Sequence, residues 1–146
     1  MMIDAWTEAA DHVTSRRYFL SRAPAFLAGI ALVRPDTLAR RIVHPEPRDG
    51  IDASGVLPPE RIEPFGEQVM EIYDMIREIP QIADGIGCAC GCAALPGYRS
   101  LLTCYHEGGM AFGCPICQGE ARLAYRRHSE GQSLERIRAA IDARYG

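Results

Sequence analysis

The sequence predicts an all-α fold, in the form of a small helical domain with a cysteine-rich loop and a C-terminal helical hairpin. Three observations predict it: an apolar stripe at helical spacing between residues 63 and 79, a glycine-rich stretch after it, and two helical segments after residue 114. The chain has 146 residues, of which 47% are hydrophobic and 24% are charged. This composition is that of a folded soluble protein with one domain and a short appendage.

The first helix is predicted from the spacing of its apolar residues. Between residues 63 and 79 these residues follow one another at intervals of four, three, four and three, which places them on one face of a helix. Pro80 is expected to end this helix because its ring removes the backbone donor that the next turn needs. The residues of the stripe are Phe65, Val69, Ile72, Ile76 and Ile79.

Two antiparallel helices are predicted to close the chain. Pro115 suits a first helical position, which places Cys114 at the N-cap of a helix that is expected to run to about Ser129. Gly131 is the expected stop signal, and Ser133 is a favourable cap for the last helix. The stripe of the last helix comprises Leu134, Ile137, Ile141 and Tyr145.

Residues 1–41 are predicted to be a signal or anchor segment of the twin-arginine type. Arg16 and Arg17 are followed by an aromatic residue and by an apolar run over residues 25–33, in the order that is typical of such export signals. The run is shorter than the roughly 20 residues that an ordinary membrane-spanning helix needs. Ile30 stands where a lipoprotein would carry its lipid-modified cysteine, so no lipid anchor is predicted. We expect an extracytoplasmic protein, in the periplasm or at the cell surface, which an uncleaved N-terminal segment would hold at the membrane.

Residues 42–66 are predicted to be an acidic linker or an extended arm. They contain five prolines and three glycines, a composition that opposes regular secondary structure. Residues 67–146 then form the helical, cysteine-rich domain.

The six cysteines all lie between residues 88 and 117, and they are the strongest functional signal in the chain. Alternate residues of an extended segment project to one side, so the three thiols of the C-A-C-G-C triplet can converge. The last two cysteines, Cys114 and Cys117, lie at a predicted helix start, which favours the thiolate form. Thiolates select soft ions such as Cu(I) and Zn(II). The sequence therefore predicts a soft-metal site for copper or zinc. The predicted ligands are Cys88, Cys90, Cys92, Cys104, Cys114 and Cys117.

Two other interpretations of the cysteines stay open. An even number of cysteines in an exported protein is also typical of a disulfide framework. The C-P-I-C sequence Cys114–Cys117 at a helix start also suits thiol–disulfide exchange, although the flanking βαβ pattern of thioredoxin-like enzymes is missing. His106 and Met110 lie in the turn before this pair and are candidate supplementary ligands.

Other function classes find little support in the sequence. It contains no Ser-His-Asp order, H-E-x-x-H motif or Gly-rich phosphate loop, so no ordinary catalytic site is predicted. All sixteen basic residues are arginines, which excludes lysine Schiff-base catalysis and the lysine of a P-loop. The net charge of −3 gives no reason to expect nucleic-acid binding.

The run Gly87–Cys92 resembles the defining motif of the bacterial PCYCGC-motif family, a group of exported cysteine-rich proteins. The three cysteines and Gly91 match the motif, while Gly87 and Ala89 stand in place of its proline and tyrosine. The similarity continues through the last three cysteines to the C-terminal segment, so that it covers about residues 67–146.

The resemblance implies an exported protein with a soft-metal role, copper being the ion inferred from the cysteines. Members of the family often carry a histidine shortly before the final cysteine pair, where this chain has Met110. The combined expectation is storage, delivery or sequestration of copper, with the metal ion and a metal-receiving protein as partners. The alternative is a disulfide-stapled accessory subunit of an extracytoplasmic membrane complex.

Overall fold

Helices are the regular secondary structure of the computed structural model, which describes residues 42–146, and the all-α prediction is confirmed. Within this part of the chain, strand-like pairing is limited to an isolated bridge between Val56 and His106. None of the described helices is long and apolar enough to cross a membrane. The export signal predicted for residues 1–41 lies outside the described residues. The helices are α1 (Pro59–Ile62), α2 (Glu67–Glu78), α3 (Pro80–Asp84), α4 (Pro115–Ser129) and α5 (Leu134–Tyr145).

Helix α2 forms where the apolar periodicity predicts it. Ile72 and Ile76 are fully buried on its inner face. Gly66, with a φ of +95°, precedes the helix, so α2 begins after the first residue of the predicted stripe. That residue, Phe65, is 47% exposed and stacks on Phe112 at a centroid distance of 4.3 Å. The stripe is therefore confirmed as a helical face from its second residue onward.

Pro80 both ends one helix and begins the next. Helix α2 stops at Glu78, as the proline predicts. The same residue is the first of α3, because a missing N–H costs nothing at a first helical position. Helix α3 buries Ala83 and Asp84 and leads into the cysteine loop, which we define as residues 88–92.

The C-terminal hairpin is confirmed at the predicted residues. Helix α4 begins at Pro115, with Cys114 as its N-cap. The chain reverses at Gly131, which has a φ of +75° that glycine adopts without strain. Helix α5 packs back on α4 and buries Ile137 and Ile141, while α4 also packs on α2. These three helices enclose the core.

Residues 42–58 pack along the helices as an extended arm, and α1 and the 3₁₀ turn Glu63–Phe65 follow where the composition predicted no regular structure. Val56 and Ile62 belong to the buried core. Arg138 of α5 donates a hydrogen bond to the carbonyl oxygen of Pro45 at 2.6 Å. Of the two interpretations of this segment, a linker or an extended arm, these contacts favour the arm, and we call residues 42–66 the arm below.

A buried carboxylate at the end of α3 joins the arm to the rest of the domain. Asp84 is fully buried and accepts hydrogen bonds from the backbone N–H and from Nη2 of Arg48, both at 2.9 Å. Arg99 Nη1 and Ser100 Oγ donate to it from beyond the cysteine loop, at 2.7 and 3.1 Å. Burial by itself would raise the pKa of Asp84, but these donors lower it to about 2. The charged carboxylate thus ties together both ends of the segment that carries the cysteine loop.

Asp84→Asn is expected to destabilise the metal-free protein by about 3 kcal/mol, because it removes one partner of a buried ion-pair network. Since the folded-state pKa lies below that of an exposed aspartate, this stabilisation is present at neutral pH and is lost as the pH falls toward about 2. Urea unfolding of the reduced protein measures the change. The matched control is Asp74→Asn, which removes an exposed partner of Arg77 and should cost less than about 1 kcal/mol. Equal losses in the two variants would contradict the role of Asp84.

The arm crosses the start of the cysteine loop at Gly87. A Cβ at Gly87 would lie 2.1 Å from the carbonyl oxygen of Val43, so the contact requires glycine. His44 Nδ1 accepts the Gly87 N–H at 3.0 Å, and its Nε2 donates to Asp142 of α5 at 3.1 Å. His44 therefore links the residue before Cys88 to the C-terminal helix.

Gly87→Ala is expected to displace the arm, because the added methyl group would overlap a backbone oxygen that cannot rotate away. We expect a loss of about 1–3 kcal/mol in urea unfolding and faster proteolysis within residues 42–66. Gly113→Ala is the matched control: it also precedes a cysteine, and a Cβ there would meet nothing within 4 Å. If both alanine variants unfold and digest alike, the close approach of the arm does not contribute to stability.

Candidate metal centre

Four of the six thiols lie together in the interior. Cys88 and Cys90 come from the cysteine loop, Cys104 from the 3₁₀ turn Leu102–Tyr105, and Cys117 from the first turn of α4. The sulfur atoms of these four residues all lie within 4.8 Å of one another. The Sγ–Sγ distance is 3.2 Å for Cys88–Cys90 and 3.5 Å for Cys88–Cys117. We call these four residues the inner sulfur set.

The inner sulfur set has the dimensions of a metal site. Four thiolates that bind one zinc ion at about 2.3 Å in a tetrahedron lie about 3.8 Å from one another. The observed sulfur separations, from 3.2 Å to at most 4.8 Å, include this value. Small side-chain rotations are therefore sufficient to surround an ion, and the inner sulfur set can hold one.

Two buried hydrogen bonds hold the three contributing segments in place. The N–H of Leu101 donates to the carbonyl oxygen of Ile86 at 2.7 Å, which fixes the 3₁₀ turn against the start of the cysteine loop. The Tyr105 hydroxyl donates to the carbonyl oxygen of Cys117 at 2.9 Å. Tyr105 is fully buried and packs edge-on against Tyr73 of α2 at 4.8 Å. The site is thus built on the helical core rather than on a free loop.

The cysteine loop turns, so its three thiols do not all enter the inner sulfur set. The chain bends at residues 89–91, where Gly91 has a φ of +90° that favours glycine. Cys88 and Cys90 join the inner sulfur set, whereas Cys92, although buried, directs its Sγ to Met110 Sδ at 3.2 Å. The extended conformation predicted for the triplet is wrong, since this turn replaces it.

Contacts among the thiols and burial together set the pKa values of the inner sulfur set. The interaction with Cys104 lowers the pKa of Cys88, but the interaction with Cys117 and burial outweigh it, and the net pKa lies far above the usual thiol value. The interaction with Cys104 and burial likewise raise the pKa of Cys117. At Cys90, burial raises the pKa, but hydrogen bonds with Cys92 and Cys88 lower it more. Most of the buried thiols are therefore neutral in the metal-free protein.

A buried carboxyl group adjoins the inner sulfur set. Glu120 lies one turn beyond Cys117 on α4 and is fully buried. Its Oε1 accepts the N–H of Ala89, inside the cysteine loop, at 2.9 Å, and its Oε2 has no hydrogen-bond partner among the described residues. Burial raises the pKa of Glu120. The sequence analysis did not predict a role for Glu120. The feature that could have indicated one is its position three residues after Cys117 on the same helix.

The other two cysteines lie beside the inner sulfur set, and Cys92 is as buried as most of the inner thiols. Cys114 is half-buried at the N-cap of α4. Burial, Cys90 and Cys114 raise the pKa of Cys92 to about 11, which reflects the proximity of these thiols. All six cysteines are free thiols. The predicted ligands therefore divide into four that share a centre and two that flank it.

The two supplementary ligand candidates differ in position. Met110 reaches a thiol of the cysteine loop, as described above. His106 lies against the arm instead, where a Cβ at Gly55 would come within 2.7 Å of its ring. Burial lowers the pKa of His106. Its position is that of a packing residue outside the inner sulfur set.

One member of the last cysteine pair, Cys117, lacks the features of an activated nucleophile. Thiol–disulfide exchange requires an accessible thiol with a low pKa. Cys117 is fully buried, and its pKa is raised. The thiol available for the redox-enzyme interpretation is therefore that of Cys114, which is half-buried at the N-cap of α4.

The comparisons with known proteins found no relative. No protein-family model, curated protein or solved structure matches this chain. The resemblance to the PCYCGC-motif family stays an expectation from the motif residues, and the function has to be argued from the arrangement of the sulfur atoms.

Proposed function

We propose that this domain binds a soft metal ion, in the first place Cu(I), for storage, delivery or sequestration. The observation that carries the proposal is the inner sulfur set, in which three separate segments of the chain bring four sulfur atoms within 4.8 Å of one another. Thiolates favour Cu(I), Zn(II) and related soft ions over hard cations such as Mg²⁺ and Ca²⁺. The convergence of four such ligands in one place is what a soft-metal site requires.

The preference for copper over zinc rests on a further feature. A tetrahedral set of four thiolates also suits Zn(II). Thioethers, however, select Cu(I), and the Met110 sulfur lies 3.2 Å from that of Cys92. The resemblance to the PCYCGC-motif family favours copper as well. We therefore propose Cu(I) as the cargo and Zn(II) as its main competitor for the inner sulfur set.

We further propose that the protein acts outside the cytoplasm and passes its ion to a protein partner. The predicted twin-arginine segment supports the location. A surface depression of about 260 Å³ reaches Cys88 and Gly91, and Val43 and Tyr145 lie on its walls. Access of this kind supports exchange of the ion, which delivery needs.

Cys104→Ser is expected to abolish tight binding to the inner sulfur set, because it removes one of the four shared ligands. The affinity should fall by more than about 100-fold, since the loss of groups that merely orient metal ligands already costs about 10- to 100-fold. Competition titrations under anaerobic conditions with Zn(II) and a chromophoric chelator measure it. Cys114→Ser is the matched control and should leave the affinity for Zn(II) nearly unchanged. Undiminished binding in Cys104→Ser, with folding checked by circular dichroism, would contradict the proposal.

Metal affinity is expected to rise with pH between about 6 and 9, because neutral thiols must lose their protons before they bind. The raised pKa values of Cys88 and Cys117 set this direction. The slope of log affinity against pH counts the protons displaced, and it should be shallower in Cys104→Ser, where one thiol proton fewer is released. An affinity that is independent of pH would show that the ligands are already ionised.

The disulfide-stapled accessory subunit is the second candidate. The observation that favours it is the 3.5 Å separation between the sulfur atoms of Cys88 and Cys117, which a modest movement would bring to bonding distance. Thiol counting on protein purified anaerobically without reductant distinguishes the two candidates. Metal-bound protein with six titratable thiols supports the metal proposal, whereas metal-free protein with its thiols paired supports the staple.

A further inference from the structure

We propose a second Cu(I) site beside the inner sulfur set, formed by the thiolates of Cys92 and Cys114 and the thioether of Met110. The inference rests on the proposed function, because it assumes that the protein handles a soft metal ion. We call these three residues the outer sulfur set.

The conformation of Met110 is the first observation. Its side chain belongs to a residue that is 48% exposed, yet its Sδ atom lies 3.2 Å from Cys92 Sγ. An unbranched side chain on the surface has many solvent-facing rotamers, yet Met110 turns its thioether inward, where it accepts a hydrogen bond from the Cys92 thiol. Cys114, the third member, is half-buried and directly follows the 3₁₀ turn that begins after Met110.

The backbone fixes both ends of the outer sulfur set. Met110 and Cys114 lie on either side of the 3₁₀ turn Ala111–Gly113, in which the N–H of Gly113 donates to the carbonyl oxygen of Met110 at 3.1 Å. A Cβ at Gly109 would lie 2.1 Å from the carbonyl oxygen of Cys104, so this turn is held directly against the inner sulfur set. Two of the three donors, Met110 and Cys114, are thus presented by a short, closed turn, and Cys92 faces them from the cysteine loop.

The chemistry of the outer sulfur set differs from that of the inner one. Two thiolates and one thioether provide three soft donors, which suit Cu(I) and are too few and too soft for a closed tetrahedral Zn(II) site. Binding of Cu(I) forms two Cu–thiolate bonds and one Cu–thioether bond, and the two thiol protons go to solvent. The outer sulfur set opens to solvent through Met110, which is 48% exposed, although its Cys92 is buried like Cys104 and Cys117 of the inner set. An ion in the outer site should therefore exchange faster.

Titration of the full-length chain with Cu(I) under anaerobic conditions, against a chromophoric Cu(I) chelator, tests the inference. We expect two classes of bound Cu(I), the first in the inner sulfur set and the second in the outer one. Met110→Leu should weaken the second class by at least about tenfold and leave the first unchanged. Cys92→Ser and Cys114→Ser should weaken the same class. Zn(II) should fill the inner site alone in every one of these proteins. Met75→Leu removes a thioether from α2 and leaves the Cys92–Met110 contact intact, so it is the matched control.

The outcomes separate this inference from the proposed function. Failure to bind either Cu(I) or Zn(II) tightly would overturn the proposed function itself. A single class of Cu(I) that Met110→Leu, Cys92→Ser and Cys114→Ser leave unchanged would overturn the outer site and keep the inner one. If Cys92→Ser weakened both classes equally, the sulfur atoms would form one cluster, and the division into two sites would be wrong. Because Met110 is exposed, its leucine variant is expected to fold normally.

Discussion

The buried carboxylate of Asp84 joins the segments that precede and follow the cysteine loop. Its donors lie on opposite sides of the cysteine loop, with Arg48 in the arm and Arg99 and Ser100 after the loop. A buried carboxylate without partners costs several kcal/mol. The contacts of Asp84 with the arm and with the segment after the loop therefore stabilise both segments jointly. The ion pairs of Asp84 with Arg48 and Arg99 therefore hold together the two segments that flank the cysteine loop.

The helices were predictable because their signals are local, and the position of the arm was not. Pro115 and Gly131 mark the start and end of α4 through their own backbone preferences, which neighbouring structure does not have to supply. Proline and glycine content in residues 42–66 reports local preference in the same way, and it cannot show where an irregular segment packs. That depends on contacts such as the approach of the Val43 carbonyl oxygen to Gly87, which involve residues far apart in sequence.

The number and clustering of the cysteines predicted a thiol site, but only the structure shows which four thiols share a centre. Spacing along the chain shows which thiols are neighbours, whereas the turn at Gly91 decides which way Cys92 faces. Glu120 and His44 escaped sequence reasoning for a related reason. Each of them acts by accepting a backbone N–H next to a cysteine, and no pattern of side-chain types reveals such a contact.

The domain contains an apolar core in addition to its buried thiols. Small zinc domains fold only when the ion is bound, because the metal provides much of their stability. Here the interior also contains apolar residues of three packed helices, among them Ile72, Ile76 and Ile137. The buried thiols can remain in this core because protonation keeps most of them neutral, so no cluster of like charges opposes folding. In the proposed function, protons are therefore the competitor of the metal ion for the same sulfur atoms.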